Sequence, residues 1–441
     1  MQNLIFRKPE TAATNFFEYE KFFSLGCLLC LWLSAGSIAR AQTNLSTFDR
    51  FSPNPLEITT PDPLTPATET LSSSQREELT AALETLNLEA AAKLQAGDGL
   101  GAFEIWFREL RLRRYLGPEA EIVALSRVGN VAWSNGKTLE LQLITQRLQA
   151  IHKKVRSQVP VNMDLLESLA AAFQQVRAKD PTVEVYQQIL DRARDRQDIL
   201  AQGQLLKTLG SIHVNWLNYD KAAAVYEELA ALIQENRALF ASNAAVPNPG
   251  IVAGNGAPPQ QQTPPSEVDS LRQLAFIYQQ SKQPLKAIEV REKLTSVYTN
   301  QQTPALIPPL KIAIAGDYEM LGKINLASQY YQEAYNLAVP LQQFAHASEA
   351  LEKLALLYRA QQQWEATLRI YQMQLLLEQR AYNLYGLMNT YDNIGQVYQE
   401  MKAFDRALEA YQKGLQVAQK LGHRQEYFTR KIQKVNKQMQ K

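Results

Sequence analysis

A unit of roughly 40 residues, marked by small and aromatic positions among polar ones, repeats along this chain. In the second half of the chain the small residue recurs at a constant spacing, at Ala275, Ala315, Ala355 and Gly395. A tyrosine follows each of these anchor residues by three positions, at Tyr278, Tyr318, Tyr358 and Tyr398. Two antiparallel helices approach closely only where the side chains between them are small, so each unit predicts one pair of packed helices.

The same register continues towards the N-terminus. The earlier anchors are Gly210, Ala170, Gly129 and Ala90, and the spacing between them stays within one position of that in the second half. The step from Gly210 to Ala275 is longer than one unit by more than half a unit. The additional residues coincide with a stretch rich in Pro, Gly and Gln at 241–266, which we interpret as a loop or linker inserted in the array. A tolerated surface insertion and a proline-rich docking segment both fit this composition.

Two further positions of the unit suit contacts between helices. Twelve positions after the anchor a small residue is usual, at Ala102, Ala222, Ala287, Ala327 and Ala407, with Thr182, Thr367 and Leu141 in the other units. Sixteen positions after the anchor an aromatic residue is usual, at Trp106, Tyr186, Tyr226, Tyr331, Tyr371 and Tyr411. The unit at Gly129 fits worst, because Leu141 and Thr145 occupy these two positions. One helix pair cannot bury its apolar face alone, so the pairs are expected to stack into an all-α solenoid.

This signature resembles the tetratricopeptide repeat (TPR), most clearly from Ile394 to Tyr398 with Ala407 and Tyr411. The usual TPR unit is shorter, at about 34 residues. The longer unit of this chain resembles the lengthened repeats of kinesin light chain and of spindle-orientation scaffolds. The resemblance extends over residues 83–421. It implies a right-handed α-solenoid of about eight helix-turn-helix repeats that binds another protein or peptide.

The segments flanking the repeats have patterns of their own. The predicted boundaries along the chain are 1–41, 42–73, 74–240, 241–266, 267–424 and 425–441. Residues 42–73 are rich in Thr, Ser and Pro and are predicted to be an extended, disordered linker. Ser74 to Glu77 has the form of a capping box that opens the first helix. A C-terminal capping helix is predicted from an apolar stripe formed by Phe428, Ile432, Val435 and Met439.

The segment 1–41 has the features of an export signal. Lys21 precedes an uncharged stretch at 22–39, and Ala39-x-Ala41 follows, which predicts cleavage before Gln42 and delivery to a periplasm, lumen or the extracellular space. An uncleaved membrane anchor through residues 22–39 is the alternative, since a stretch of this length is at the lower limit for crossing a bilayer. A chain that is not exported is the third. Both cysteines, Cys27 and Cys30, lie in this stretch, so cleavage would leave no disulfide in the mature chain.

Composition and motifs argue against several classes of function. The chain is 46% hydrophobic and 20% charged, and its formal net charge of +2 gives no bulk attraction to nucleic acid or anionic lipid. The four histidines are His152, His213, His346 and His423, and no metal-ligand spacing relates them. A P-loop, a Rossmann glycine pattern and a nucleophile elbow are all missing from the sequence. We therefore predict a protein that is not an enzyme and that takes no cofactor or metal.

In the TPR family the first helix of each pair lines a groove, at positions six, three and two before the anchor and one, four and five after it. The resemblance carries these positions to this chain. The candidate partner-binding residues are Gln174, Gln175, Arg272, Gln279, Gln280, Glu319, Lys353, Arg359, Asp392, Asn393, Gln396 and Gln399. The family's Lys and Asn clamp for a free C-terminal carboxylate is not reproduced. Amide side chains both donate and accept hydrogen bonds, so this set suits an extended peptide backbone. Solvated helix surface is the alternative interpretation of the same glutamines.

Three classes of function follow from these observations. The first is a non-catalytic scaffold, exported or tethered to a membrane, that holds a protein or extended peptide. The second is a reader of single-stranded RNA, which the acidic residues along the predicted groove disfavour. The third is an accessory subunit or an enzyme with an unrecognised site. The oligomeric state is not indicated by the sequence.

Overall fold

All regular secondary structure in the described residues is helical, which confirms the predicted all-α class. The structure, a computed structural model, describes residues 53–58, 61–66, 71–243 and 265–440. These residues form two compact units, 1–178 and 179–441. The first unit contains α1 (Ser73–Gln95), α2 (Gly99–Arg113), α3 (Pro118–Ser134), α4 (Thr138–Arg156) and α5 (Met163–Gln175), with a single 3-10 turn at Arg114–Leu116.

The second unit holds the remaining helices. They are α6 (Lys179–Asp195), α7 (Ile199–Asn215), α8 (Tyr219–Glu235), α9 (Arg237–Asn243), α10 (Glu267–Gln280), α11 (Pro284–Asn300), α12 (Ile307–Met320), α13 (Ile324–Ala338), α14 (Phe344–Ala360), α15 (Trp364–Arg380), α16 (Leu384–Glu400), α17 (Phe404–Leu421) and α18 (Gln425–Met439). A 3-10 turn at Pro304–Leu306 precedes α12. Within each unit, successive helices joined by short turns pack on one another, as expected for stacked helix pairs.

The anchor residues are core positions of their units. All eight are buried. At Gly210 and Gly395 an added Cβ would lie 2.5 Å from the ring of Tyr226 or Tyr411, the aromatic residue sixteen positions later. No side chain larger than hydrogen fits there without displacing that ring, so these two glycines are required by packing.

One unit departs from the predicted register. After Gly129 the residues buried on α4 are Glu140 and Ile144, whereas Leu141 and Thr145 are only half-buried. The buried face of α4 therefore lies one residue closer to the N-terminus than the repeat spacing predicts. Ile144 lies against Gly129, where an added Cβ would be 3.2 Å from its methyl group.

The insertion falls within the second unit, where α8 and α10 pack directly on each other across it. Tyr226, Phe240 and Leu271, from both sides of the insertion, belong to one buried apolar cluster. The boundary between compact units lies at Ala178 and Lys179 and does not coincide with the insertion.

The segment before α1 corrects two expectations. The capping box is formed by Ser72 and Gln75, because the Ser72 hydroxyl accepts from the Gln75 amide at 3.2 Å and Gln75 Oε1 accepts from the Ser72 amide at 2.9 Å. It lies two positions before the predicted box at Ser74. The predicted linker 42–73 is also not a free spacer where it is described, since Leu56 is 1% exposed and Asp62 pairs with Arg108. Packing against the first helix pair overrides its proline-rich composition.

The C-terminal helix α18 caps the last pair, as predicted. Phe428 and Val435 are fully buried against α17, and Ile432 is partly buried in the same cluster. Met439 is 44% exposed and is not part of the stripe. The apolar contact therefore ends one turn before the helix does.

Among the helices of the described residues, none combines the length and the apolar character that crossing a bilayer requires. The export signal 1–41, its apolar stretch 22–39 and the cleavage residues Ala39, Ala41 and Gln42 lie outside the described residues, as does most of the insertion 241–266.

We expect Ala327→Trp to destabilise the second unit by roughly 1–3 kcal/mol or more, because overpacking a well-filled core forces backbone shifts. Ala327 is fully buried on α13 in the cluster that contains Ala315 and Tyr331. Urea unfolding followed by circular dichroism measures the change. Asn325→Trp is a matched control on an exposed position of the same helix, and an effect as small as the control's would show that the helix contact is not at Ala327.

Candidate partner-binding surface

The predicted groove residues all lie on the first helix of a pair. Gln174 and Gln175 end α5 in the first unit and are both exposed. The other ten lie in the second unit, three on α10, one on α12, two on α14 and four on α16. The structure thus divides the predicted set between two units.

A recurring polar contact occupies the position four residues after the anchor. The side chain at this position accepts a hydrogen bond from the residue sixteen positions after the anchor, which lies on the second helix of the same pair. The contacts are Arg291 Nη2 donating to Gln279 Oε1 at 2.7 Å, Tyr331 OH to Glu319 Oε2 at 3.1 Å, and Tyr411 OH to Gln399 Oε1 at 2.6 Å. Three of the predicted binding residues are therefore already used in part to join their own helix pair.

The pair at Ala355 uses this position differently. Arg359 reaches the next first helix, where its Nε donates to Glu400 at 3.0 Å and its Nη2 donates to Gln396 at 3.2 Å. The hydrogen bond to Glu400 is the largest cause that raises the pKa of Arg359 above its ordinary value. Two of the predicted residues, Arg359 of α14 and Gln396 of α16, are thus brought together in one cluster with Glu400.

That cluster continues to the capping helix through Asp392, which is buried. Its Oδ2 accepts from Gln396 Nε2 at 3.1 Å and from Tyr427 OH at 2.8 Å. Arg424 and Lys431 lie 3.8 and 4.0 Å from its carboxylate oxygens. Burial, followed by the hydrogen bond to Asp392, raises the pKa of Tyr427 to about 12, so its hydroxyl keeps its proton at neutral pH. Asp392 is engaged in fixing α18 and is poorly placed to meet a partner.

The residues that are open to solvent on these first helices are partly apolar. Phe276 and Leu356 follow their anchors by one position and Met320 follows its anchor by five, and they are 43%, 42% and 59% exposed. Both positions belong to the groove set implied by the family resemblance. The prediction missed these three side chains because it retained only polar residues there. The signal that identifies them is a large apolar residue at a groove position of the repeat register.

Exposed polar neighbours accompany these apolar residues. Arg272, Gln280 and Lys353 are exposed, and Asn393 is half-buried. Arg272 donates from Nε to the Tyr298 hydroxyl at 2.8 Å, which fixes its orientation on α10. The surface of α10, α12, α14 and α16 therefore combines exposed apolar side chains with amides and charges of both signs, a mixture typical of protein-binding surfaces.

A cleft of about 600 Å³ opens between α8, α10 and α11. Its charged residues neutralise one another, since Arg237 lies 2.9 Å from Glu267 and Lys286 lies 3.6 Å from Glu227. The floor is apolar, with Leu271 and Leu274. Because its charges are paired, this cleft offers no charged group for recognition of a ligand.

In the part of the chain that the structure describes, no group of three or more His, Cys, Asp and Glu side chains could hold a metal ion. His213 is buried at a packing position, and burial is the largest cause that lowers its pKa. This histidine is therefore neutral at physiological pH.

Comparison with known proteins identifies part of the chain. Residues 346–420 match the family model for the tetratricopeptide repeat, in the region where the repeat signature is clearest. No curated protein matches the chain.

Solved structures of similar fold are distant in sequence. BtubC (BKLC) from P. vanneervenii is 18% identical with a TM-score of 0.35, covering 56% of this chain and 91% of its own. A putative kinesin light chain with TPR-like repeats from Podosopora anserina is 14% identical with a TM-score of 0.34, covering 50% of this chain and 97% of its own. Aspartyl phosphate phosphatase F from Bacillus subtilis is 14% identical with a TM-score of 0.36, covering 80% and 77%.

Proposed function

We propose that this tetratricopeptide-repeat chain is a non-catalytic scaffold that binds an extended protein segment along the first helices of its second unit. The observation that carries the proposal is the set of exposed apolar side chains Phe276, Met320 and Leu356 at groove positions. Large apolar residues that face solvent at groove positions of successive repeats suit a ligand that runs along the stack.

The polar residues on the same helices supply the complementary part of recognition. Gln280, Lys353 and Asn393 can pair with backbone and side-chain groups of an extended segment. Gln279, Glu319 and Gln399 hold the helix pairs together, so they set the position of the surface more than they contact a partner. The partner is proposed to be a protein or peptide rather than a nucleic acid, because the charges on this surface are mixed.

We also propose that the scaffold acts outside the cytoplasm, exported or tethered through its N-terminal segment. The support is the sequence of residues 1–41, with the apolar stretch 22–39 and Ala39-x-Ala41. N-terminal sequencing of the protein purified from its host tests this: a chain that begins at Gln42 is the cleaved form. Recovery of the uncleaved chain in the membrane fraction indicates the anchor, and its recovery in the soluble cytoplasm would reject both.

We expect the triple change Phe276→Asp, Met320→Asp and Leu356→Asp to weaken partner binding about tenfold or more, since exposed apolar anchors at an interface are often worth about 1 kcal/mol or more each. Stability should change little, because surface substitutions are usually within about 0.5 kcal/mol. The measurement is affinity capture from the host with the full chain, followed by titration of each captured protein.

The matched control carries Leu285→Asp and Leu376→Asp, which are 61% and 68% exposed on the second helices α11 and α15. It introduces the same type of change away from the proposed surface. Proteins captured by the parent and the control but lost by the triple variant support the proposal. Equal capture by all three would place binding on another surface.

A further inference from the structure

The segment before α1 carries the same four-residue pattern twice, eight positions apart. Pro53-Asn54-Pro55-Leu56 is the first motif and Pro61-Asp62-Pro63-Leu64 is the second. In each, the Asx side-chain oxygen accepts from the leucine amide two positions later, at 2.9 Å for Asn54 and 3.0 Å for Asp62. In each, the Asx carbonyl also accepts from the amide three positions later, at 2.9 Å. The two motifs therefore fold into the same Asx turn.

The leucine of each turn is removed from solvent, fully in the first motif and partly in the second. Leu56 is 1% exposed. Leu64 packs against a cluster that contains Leu79 and Leu83 of α1 and Leu112 of α2. Removing motif leucines from solvent is the kind of anchoring that short recognition motifs use.

Three arginines spaced three residues apart form hydrogen bonds to polar groups of both turns. Arg111 Nη1 donates to the Pro55 carbonyl and Arg114 Nη2 donates to the Leu56 carbonyl, each at 2.5 Å. Arg108 donates two hydrogen bonds to the Asp62 carboxylate, from Nε to Oδ2 at 2.7 Å and from Nη2 to Oδ1 at 3.0 Å. The first motif is thus recognised through its backbone and the second through its carboxylate.

Arg111 differs from its two neighbours because no carboxylate of the described residues lies within ion-pairing distance of it. It is half-buried, and burial is the largest cause that lowers its pKa. The hydrogen bond of its guanidinium in this structure goes to the Pro55 carbonyl. A half-buried arginine satisfied by a peptide carbonyl is the arrangement expected at a peptide-docking site.

We propose that this face of α1 and α2, with Arg108, Arg111 and Arg114, is a docking site for tandem Pro-Asx-Pro-Leu turns. The protein's own residues 53–58 and 61–66 occupy it in the structure. A partner protein that carries the same motif twice, with an acidic residue in the second copy, competes for it. The site lies in the first unit and is separate from the surface proposed on α10 to α16.

The protein's own turns (the cis segment) determine how strongly a partner must bind in order to displace them. Only residues 67–72 separate it from α1, and a short tether gives an effective concentration in the millimolar range. A partner therefore displaces these turns when its concentration approaches that value, when it binds the site more tightly than they do, or when the turns are weakened. The chain also contains Pro247-Asn248-Pro249-Gly250, which has glycine in place of the leucine, and a peptide of that sequence provides a natural negative control.

The test uses a fluorescent peptide of residues 53–66, titrated into the full chain and read by anisotropy. Leu56→Asp with Leu64→Asp in the chain detaches its own turns. We expect this variant to bind the peptide at least tenfold more tightly than the parent does, and to ignore both the glycine-containing peptide and a peptide with the two leucines replaced. A variant of parental helicity that binds no peptide would overturn the proposal and leave the segment as a structural cap only.

A charge reversal decides the same question without replacing a leucine of the chain. Arg108→Asp repels the cis Asp62, and Arg108 lies at the surface, so folding should be kept. We expect the Arg108→Asp chain to prefer a peptide carrying Asp62→Asn over the natural peptide by at least tenfold, because asparagine keeps the Asx turn and removes the repulsion between two carboxylates. The parent should show the opposite preference. If the preference does not reverse, Arg108 does not recognise the motif and the docking site is rejected.

Discussion

Replacing Arg291 with leucine is expected to lower the free energy of unfolding of the second unit by about 3–5 kcal/mol, because it leaves a buried charge without its partner. Arg291 occupies the position where most other repeats have an aromatic residue. It is 5% exposed and forms an ion pair with Asp317 of the next pair, which is 2% exposed. Burial raises the pKa of Asp317 above its ordinary value even though Arg291 lies beside it.

The double variant Arg291→Leu with Asp317→Leu separates the net contribution of the ion pair to stability from the cost of leaving one buried charge unpaired. Desolvation of both charges opposes their attraction, so an apolar replacement of similar volume is often neutral or stabilising by about 1–4 kcal/mol. We expect each single change to be strongly destabilising and the double change to restore most or all of the stability. Urea unfolding followed by circular dichroism measures all four chains.

The outcome that would contradict this expectation is additivity. If the double variant is as destabilised as the sum of the single variants, the two side chains do not act as a pair. A single Arg291→Leu variant as stable as the parent would likewise show that Asp317 is not left unpaired in the core.

Replacing Phe428 with alanine is expected to destabilise the C-terminal cap by about 3–5 kcal/mol, the usual range for emptying the space of a buried aromatic residue. Phe428 is fully buried, and its ring lies over Gly414 of α17 so closely that a Cβ on this glycine would overlap it. Loss of the ring removes the principal apolar contact of α18. Hydrogen exchange measured along the chain should show α18 unprotected while α10 to α15 keep their protection.

Met439→Ala is the control on the same helix, because Met439 is 44% exposed and lies beyond the buried stripe. We expect it to change the free energy of unfolding by no more than about 0.5 kcal/mol. Protection of α18 that survives Phe428→Ala would show that the bond from Tyr427 to Asp392, and not the phenylalanine, anchors the cap.

The spacing of small residues was enough to predict the helix pairs. All eight anchors are buried, and α16 and α17 enclose Gly395 and Tyr411 as the register requires. The reason is local: the helical period fixes which residues of one helix face its neighbour, and only a small residue allows close approach. The same rule failed by one position on α4, where Glu140 and Ile144 are buried, because the rotation of a helix depends on everything packed around it.

The candidate site was predicted less completely. The register placed the candidate residues on the first helices, but it could not show that Gln279 and Gln399 are hydrogen-bonded to the second helices of their own pairs. It also did not single out Phe276, since exposure of an apolar residue is known only when its neighbours are in place.

The sequence alone determined the class of fold, the number of repeats and the capping helix, because each depends on patterns no longer than a single repeat unit. Only the tertiary structure decided which distant groups meet. Arg114 donates a hydrogen bond to the Leu56 carbonyl, 58 positions earlier in the chain. This contact helps to hold a segment of linker-like composition against the folded helices. Local composition sets what a segment favours in isolation, and the free energy of burying Leu56, packing Leu64 and forming hydrogen bonds to three arginines overrides it.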